Sequence, residues 1–286
     1  MLNKSFHTPL FLLTFSLFIY SCGNVTPAQN DKITVSILPV KYIINEISGN
    51  DFDIEVLVPP GVSPETYEPT ISQLKNISEA KALFTVGLID FEKEIAAKIA
   101  SSTTTEVVDL SNDISVIEGD CAHDNHGRGI DPHIWISTPE LLKMAKNAFD
   151  KISVLYPDSI KYLQNYRKLC EKINETDHYI ANALNQSSHK YFIIYHPALT
   201  YYSRHYNIEQ VSLEVDGKEP SAEYMKNVIA KAKLDGVNKV LIQKQFNRAV
   251  VDVIAKDIGA EIYEIDPLAE NVLENLKEIT DIVSGK

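Results

Sequence analysis

The 286-residue chain contains only three cysteines, too few for a disulfide scaffold. It is also short of positive charge, with 27 Lys and Arg against 39 Asp and Glu and a formal net charge of −12. A nucleic-acid binder would normally carry a basic patch or stripe, so nucleic acid is excluded as a partner. The apolar run at the N-terminus, Leu10 to Tyr20 (LFLLTFSLFIY), has 11 residues. A helix that crosses a bilayer needs about 20. There is no short-period internal repeat and no nucleophile motif of a hydrolase. What the chain does have is a hydrophobic content of 44%, enough for a substantial core and too much for global disorder. Its length suits one large domain or two of about 100–150 residues.

The first residues read as a targeting segment. Lys4 precedes the apolar run, which ends in Ile19-Tyr20-Ser21-Cys22-Gly23, a pattern that resembles a bacterial lipobox. On that reading residues 1–21 are a signal peptide and Cys22 is the lipidated first residue of the mature chain. Residues 22–31 (CGNVTPAQND) then form a polar tether. The protein is expected to be lipid-anchored to a bacterial membrane on its extracytoplasmic, periplasmic side. An ordinary secretory signal or an uncleaved anchor is the alternative, and in every case the segment is set apart from the fold.

The remainder reads as α/β: two lobes with mainly parallel sheets joined by a long rigid helix. The expected divisions are an N-terminal lobe at 32–157, a linking helix at 158–186 and a C-terminal lobe at 187–286. Ile33 to Val40, Ile54 to Val58, Ala82 to Val86 and Glu106 to Leu110 are β-rich runs, with helix-friendly stretches at Ser72 to Lys81 and Phe91 to Ala100. Such alternation predicts βα units around a parallel sheet. Gly119 to Asp131 reads as a loop. A helix is predicted from Thr138-Pro139-Glu140, with Thr138 as its cap and Leu141, Ala145, Ala148, Ile152 and Leu155 as its apolar stripe. Asp158 to Lys190 has neither Gly nor Pro. Ile160, Leu163, Tyr166, Cys170, Ile173, Ile180 and Leu184 recur there at helical spacing, as one long helix or as two broken near Asn174 to Asp177. In the second lobe, strands are predicted at Tyr191 to Tyr195, Gln210 to Leu213, Lys239 to Ile242 and Glu261 to Ile265. Helices follow, the later ones at Ser221 to Leu234, Arg248 to Ile258 and Leu268 to Val283, which suggests a doubly wound sheet.

Ligands of open α/β sheets bind beyond the carboxyl ends of strands, so the polar residues just past each strand are the candidates. His196 follows YFIIY and Asp266 follows EIYEI. Glu65 lies in the loop after Ile54 to Val58, and His133 lies between the Gly-containing loop and the capped helix. Two imidazoles and two carboxylates from two lobes make a plausible metal set, since zinc takes both donor types. Each residue also has an ordinary reading: a hydrogen-bonded structural histidine, a turn-starting Asp before Pro, a solvated loop Glu. Spacing alone does not choose, because these four are far apart in sequence.

At these same residues the chain resembles a known family. Pro59-Pro60-Gly61-Val62-Ser63-Pro64-Glu65-Thr66-Tyr67-Glu68-Pro69 resembles the first ligand loop of the zinc/manganese-type metal-binding (substrate-binding) lipoproteins of bacterial ABC importers. Asp131-Pro132-His133-Ile134-Trp135 is similar to their second motif, and Tyr195-His196-Pro197-Ala198 to their third. Gly217-Lys218-Glu219-Pro220-Ser221, Gln245-Phe246 and Ile265-Asp266-Pro267-Leu268 extend the likeness over nearly the whole mature chain. The resemblance implies one divalent metal held between two lobes for an ABC transporter permease, with His133, His196 and Asp266 as ligands. The first position departs from the pattern, with Glu65 where histidine is expected. In this family histidine at the third position goes with zinc, so His196 points to zinc as the transported substrate. Glu65 adds a harder donor that pulls toward manganese or iron. His123 and His126 offer an accessory metal position in a loop that also reads as plain polar surface. Cys121 and Cys170 are a candidate disulfide, although Cys170 equally fits a buried thiol. The expected role is binding without catalysis. A metal-dependent hydrolase, in which Glu65 acts as base at an open zinc position, and a surface adhesin on the same fold are the alternatives.

Overall fold

The computed structural model describes residues 31–119, 129–157, 159–214 and 218–285. The signal-peptide, Cys22, His123, His126 and Cys121 assignments lie outside the described residues. Within the described residues no helix is long and apolar enough to cross a membrane.

The first lobe runs β1 (Lys32–Val35), α1 (Leu38–Ser48), β2 (Asp53–Val56), α2 (Ile71–Glu79), β3 (Ala82–Thr85), α3 (Asp90–Ser102) and β4 (Glu106–Asp109). Its four strands are all parallel, in the order β2-β1-β3-β4. The expectation of a strand from Ile33 to Val40 fails beyond Val35. Pro39 stands in the first turn of α1, where its missing N–H costs nothing. Val40, Ile43, Ile44 and Ile47 fall at i, i+3, i+4 and i+7, and all four are fully buried. A β-branched run therefore forms a core helix, each such side chain contributing about 1.5–3 kcal/mol on burial. Gly49, left-handed at φ 66°, ends it by donating its N–H to the Asn45 carbonyl.

Two short strands follow, β5 (Glu118–Gly119) paired antiparallel with β6 (Gly129–Ile130); of the loop expected from Gly119 to Asp131, residues 120–128 lie outside the described residues. Helix α4 (Thr138–Leu155) begins as anticipated, but Thr138 does not cap it. Its hydroxyl instead donates to Asp177 at 2.6 Å, the carboxylate that also receives Tyr206 and His205. Helix α5 (Ile160–Gln186) is one unbroken element of 27 residues, roughly 40 Å long. It packs against α1, α4 and the last helix of the chain. Its buried stripe is Tyr162, Leu169, Ile173, Thr176, Ile180 and Ala183. The anticipated Ile160 is exposed and Cys170 only half-buried, so the contact face is rotated from the one expected.

The second lobe runs β7 (Tyr191–Ile194), α6 (Thr200–Tyr206), β8 (Glu209–Ser212), α7 (Ala222–Asp235), β9 (Lys239–Gln243), α8 (Ala249–Ile258), β10 (Glu261–Ile265) and α9 (Val272–Ser284). Its strands are also all parallel, ordered β10-β9-β7-β8. Helix α9 starts four residues later than expected, because Asn271 caps it through the Glu274 amide. Along β7 the side chains alternate. Tyr191 and Ile193 enter an outer core beneath α7 and α8, whereas Phe192 and Ile194 join the larger core that holds the first lobe, α5 and α9. The two lobes therefore share one continuous apolar interior.

Candidate metal site

Glu65 sits in a single 3-10 turn, Pro64–Thr66, after β2. Pro64 fixes the entry to the turn, and the Ser63 hydroxyl accepts the Glu65 amide at 3.4 Å. His133 precedes another 3-10 turn, Ile134–Ile136, that leads into α4. The turn is anchored by Trp135, which is fully buried and donates Nε1–H to the Pro267 carbonyl of the second lobe at 2.8 Å. His196 directly follows the β7–Tyr195 run, at the point where the strand order of the second sheet reverses. Gln243, at the end of β9, grips its main chain from both sides. The Gln243 amide donates to the His196 carbonyl at 2.6 Å and accepts the His196 N–H at 3.3 Å.

These elements bring Glu65, His133 and His196 together, with one donor atom of each within 4.8 Å of the others. His196 Nε2 lies 3.1 Å from Glu65 Oε1, and the two imidazole rings are 5.3 Å apart, edge to face. Bonds of 2.0–2.2 Å in a tetrahedral zinc site separate ligand atoms by about 3.3–3.6 Å. The donor set therefore has the right chemistry and needs only a modest contraction. Each histidine has a carboxylate behind it. His133 Nδ1 is 2.8 Å from Asp131 Oδ1, and His196 Nδ1 is 3.3 Å from both oxygens of Glu214. Such pairs fix the ring and direct the other nitrogen to a metal. Phe246 stacks on the His196 ring at 5.0 Å, and Tyr201 donates to the Asp131 carbonyl at 2.8 Å.

Burial disfavours a charged imidazole at His196, but the hydrogen bonds and charges of Glu214 and Glu65 outweigh it and push the ring up to about 9. The two carboxylates thus favour the protonated imidazole, and metal binding at a histidine nitrogen competes with protonation. Burial also works to raise Asp131, yet the His133 charge and the bonds from its ring and backbone hold Asp131 below the usual carboxylate range.

Asp266 is not among the gathered donors. It follows β10, and Oδ1 accepts from Gln245 Nε2 at 3.2 Å and from the Leu268 amide at 3.1 Å. Its neighbours Pro267 and Leu268 do line the cleft faced by the three donors, a space of about 330 Å³ including its open mouth. Asp131, Glu214 and Phe246 were given no role by sequence reading. Glu214 lies two residues past β8, so the strand-end rule that found His196 would have found it too. Phe246 lies three residues past β9 and within the Gln245-Phe246 likeness, but has no donor atom that the strand-end rule would pick out.

A sequence profile of the family described as zinc-uptake complex component A, periplasmic, matches residues 33–281. The zinc-binding lipoprotein AdcA of Streptococcus pneumoniae (strain ATCC BAA-255 / R6) is 22% identical over 282 residues, covering 94% of this chain and 56% of its own length. The chain thus spans about half the length of the first curated relatives it matches. The high-affinity zinc uptake system protein ZnuA of Bacillus subtilis (strain 168) is 26% identical over 274 residues, 88% of this chain and 85% of its own. A crystal structure of ZnuA superposes with a TM-score of 0.82 at 31% identity, over 90% of this chain and 98% of that one. The profile spans nearly the whole described fold and takes in Glu65, His133, His196 and Asp266, and on that match the chain belongs to the zinc-uptake complex component A family.

Proposed function

We propose that this chain is the extracytoplasmic receptor of a bacterial ABC importer, which captures one divalent metal, zinc first, and hands it to a permease. It performs no covalent chemistry. The observation that carries this reading is the convergence of Glu65, His133 and His196 within 4.8 Å, each contributed by a different loop and drawn from both lobes. Family membership supports it, as does similarity to a zinc-binding lipoprotein and a zinc uptake system protein. In this reading Glu65 binds through oxygen, His133 and His196 bind through Nε2, and Asp266 supplies the fourth donor. Two imidazoles favour zinc over manganese, whose preferred ligands are oxygens. Cys22 is the lipid anchor, and His123 and His126 are an accessory position. Residues 32–157 and 187–286 are the two lobes, with 158–186 between them.

The test is competitive titration of zinc and manganese into the metal-free mature chain. One tight zinc per chain, weakened at least about a hundredfold by His196→Ala, is expected for loss of a direct ligand. Manganese preference would keep the architecture and change the cargo. Absence of any tight metal would overturn the receptor reading.

A further inference from the structure

Asp266 directly precedes Pro267 and Leu268, which line the cleft of the three gathered donors, and its carboxylate is committed elsewhere. Its loop is pinned. The Asp266 carbonyl accepts Asn275 Nδ2 at 3.0 Å, and the next carbonyl, of Pro267, accepts the Trp135 indole at 2.8 Å. With the main chain held at two successive carbonyls, rotation of the side chain is the freedom left to the carboxylate. Three groups hold it where it is. The Leu268 amide bond, at 3.1 Å, is a turn within its own loop. Lys244 Nζ is 3.8 Å away and half-exposed, a screened contact worth little. Gln245 differs from both. It comes from the neighbouring strand end, lines the same cleft as Glu65, His133 and His196, and donates to Asp266 Oδ1 at 3.2 Å.

We infer that Gln245 is an affinity-setting residue, which retains Asp266 outside the three-donor cluster so that a fourth protein ligand is gained only by giving up this hydrogen bond. The inference rests on the metal-receptor reading above. It assigns the receptor a built-in opposition to its own fourth ligand, which keeps one coordination position exchangeable and the cargo releasable. The length of the side chain is not what does this; the amide donor is.

Zinc affinity is measured by chelator competition on four mature chains: unmodified, Gln245→Met, Asp266→Asn and the double variant. Methionine keeps the stem of Gln245 and removes the donor. Loss of one modest hydrogen bond predicts that Gln245→Met binds zinc about fivefold more tightly. In the Asp266→Asn background the same change has no effect, the signature of coupling between the two residues. Cobalt(II) reports the same event by absorption: its visible bands intensify in Gln245→Met, as four-coordination is favoured, and not in the double variant. Unchanged or weaker zinc binding by Gln245→Met, with tight zinc in the unmodified chain, overturns the retention and leaves the receptor reading standing. Equal tightening without the Asp266 carboxylate also overturns it. No tight zinc in the unmodified chain overturns both.

Discussion

In the first lobe, the crevice at the ends of β1 and β3 is filled from within. Glu92 of α3 is 1% exposed, and its carboxylate accepts the backbone N–H groups of Val86, Gly87 and Ile89 at 2.9, 2.8 and 3.2 Å. In the second lobe the strands follow the same relative order, and the corresponding crevice at the ends of β7 and β9 is left open. There Gln243 spends both ends of its amide on the main chain of His196, and the imidazole is left to face the cleft. One fold solution is thus used twice. Where a protein carboxylate satisfies the strand-end amides, the lobe becomes a support, and the 3-10 turn bearing Glu65 rests on it through the Tyr67–Phe91 ring contact at 5.2 Å. Where a neutral amide clamps the backbone, a side chain is released for binding.

That contrast is most easily broken at its two ends. Removing the filler, Glu92→Ala, leaves the buried amides of Val86 and Ile89 and the part-buried amide of Gly87 without their acceptor. It should destabilise the fold by about 3 kcal/mol or more, read by urea unfolding of the metal-free chain. Zinc stoichiometry in the folded variant should stay at one. Equal loss of zinc binding and stability would mean that the two lobes are not specialised as argued.

The filler also predicts a pH dependence. Burial pushes Glu92 up to about 7, against the Ser36 hydroxyl and the amides of Val86, Gly87 and Ile89, which favour the ionised form. The folded chain then binds this proton more tightly than the unfolded one. Its contribution is fully present below the ordinary glutamate value and is lost as pH rises toward 7. Stability should fall between about pH 5 and 7.5 by on the order of 2–3 kcal/mol from this group. Thermal unfolding of Glu92→Gln should show a flatter profile over that window, and an identical slope in both chains would refute the assignment.

In the second lobe the matching experiment is Glu214→Gln, which takes the charge from behind His196 while leaving a polar side chain. Support of this kind is typically worth about tenfold or more in metal affinity, with little change in unfolding midpoint. A zinc affinity that does not move would show that Gln243 and Phe246 suffice to hold the ring. The smallest effect is expected at Thr138→Val. This change removes one of three hydrogen bonds to Asp177 and should cost about 1 kcal/mol in stability with zinc affinity unchanged, checked by the same two titrations.

Much of this arrangement was legible in the residues. Parallel βα units, the uninterrupted α5 and the strand-end positions of His196 and Asp266 followed from periodicity and from the absence of Gly and Pro between residues 158 and 190. Helix α1 was hidden because Ile and Val at helical spacing also make a continuous β-like run, and the choice was settled by Pro39 and by burial on one face. The rotation of the α5 stripe depended on which neighbours cover it. Among the candidate residues the structure groups Glu65, His133 and His196, whereas the family resemblance implied His133, His196 and Asp266 as ligands and marked Glu65 as a departure. The retracted carboxylate of Asp266 was not legible, because it is decided by a side-chain partner on a neighbouring strand end, Gln245, and no local spacing encodes that contact.

The chain has a single tryptophan, and it is Trp135. Its indole lies 5.2 Å from the His133 ring while its N–H is bonded to the Pro267 carbonyl beside Asp266. All indole emission therefore originates at one fully buried point wedged between His133 of the first lobe and the Asp266–Pro267 loop of the second. On the proposed receptor reading the protein carries its own optical gauge of cargo: a change of charge on His133 or of strain in the Asp266–Pro267 loop alters the light it emits, with no label attached.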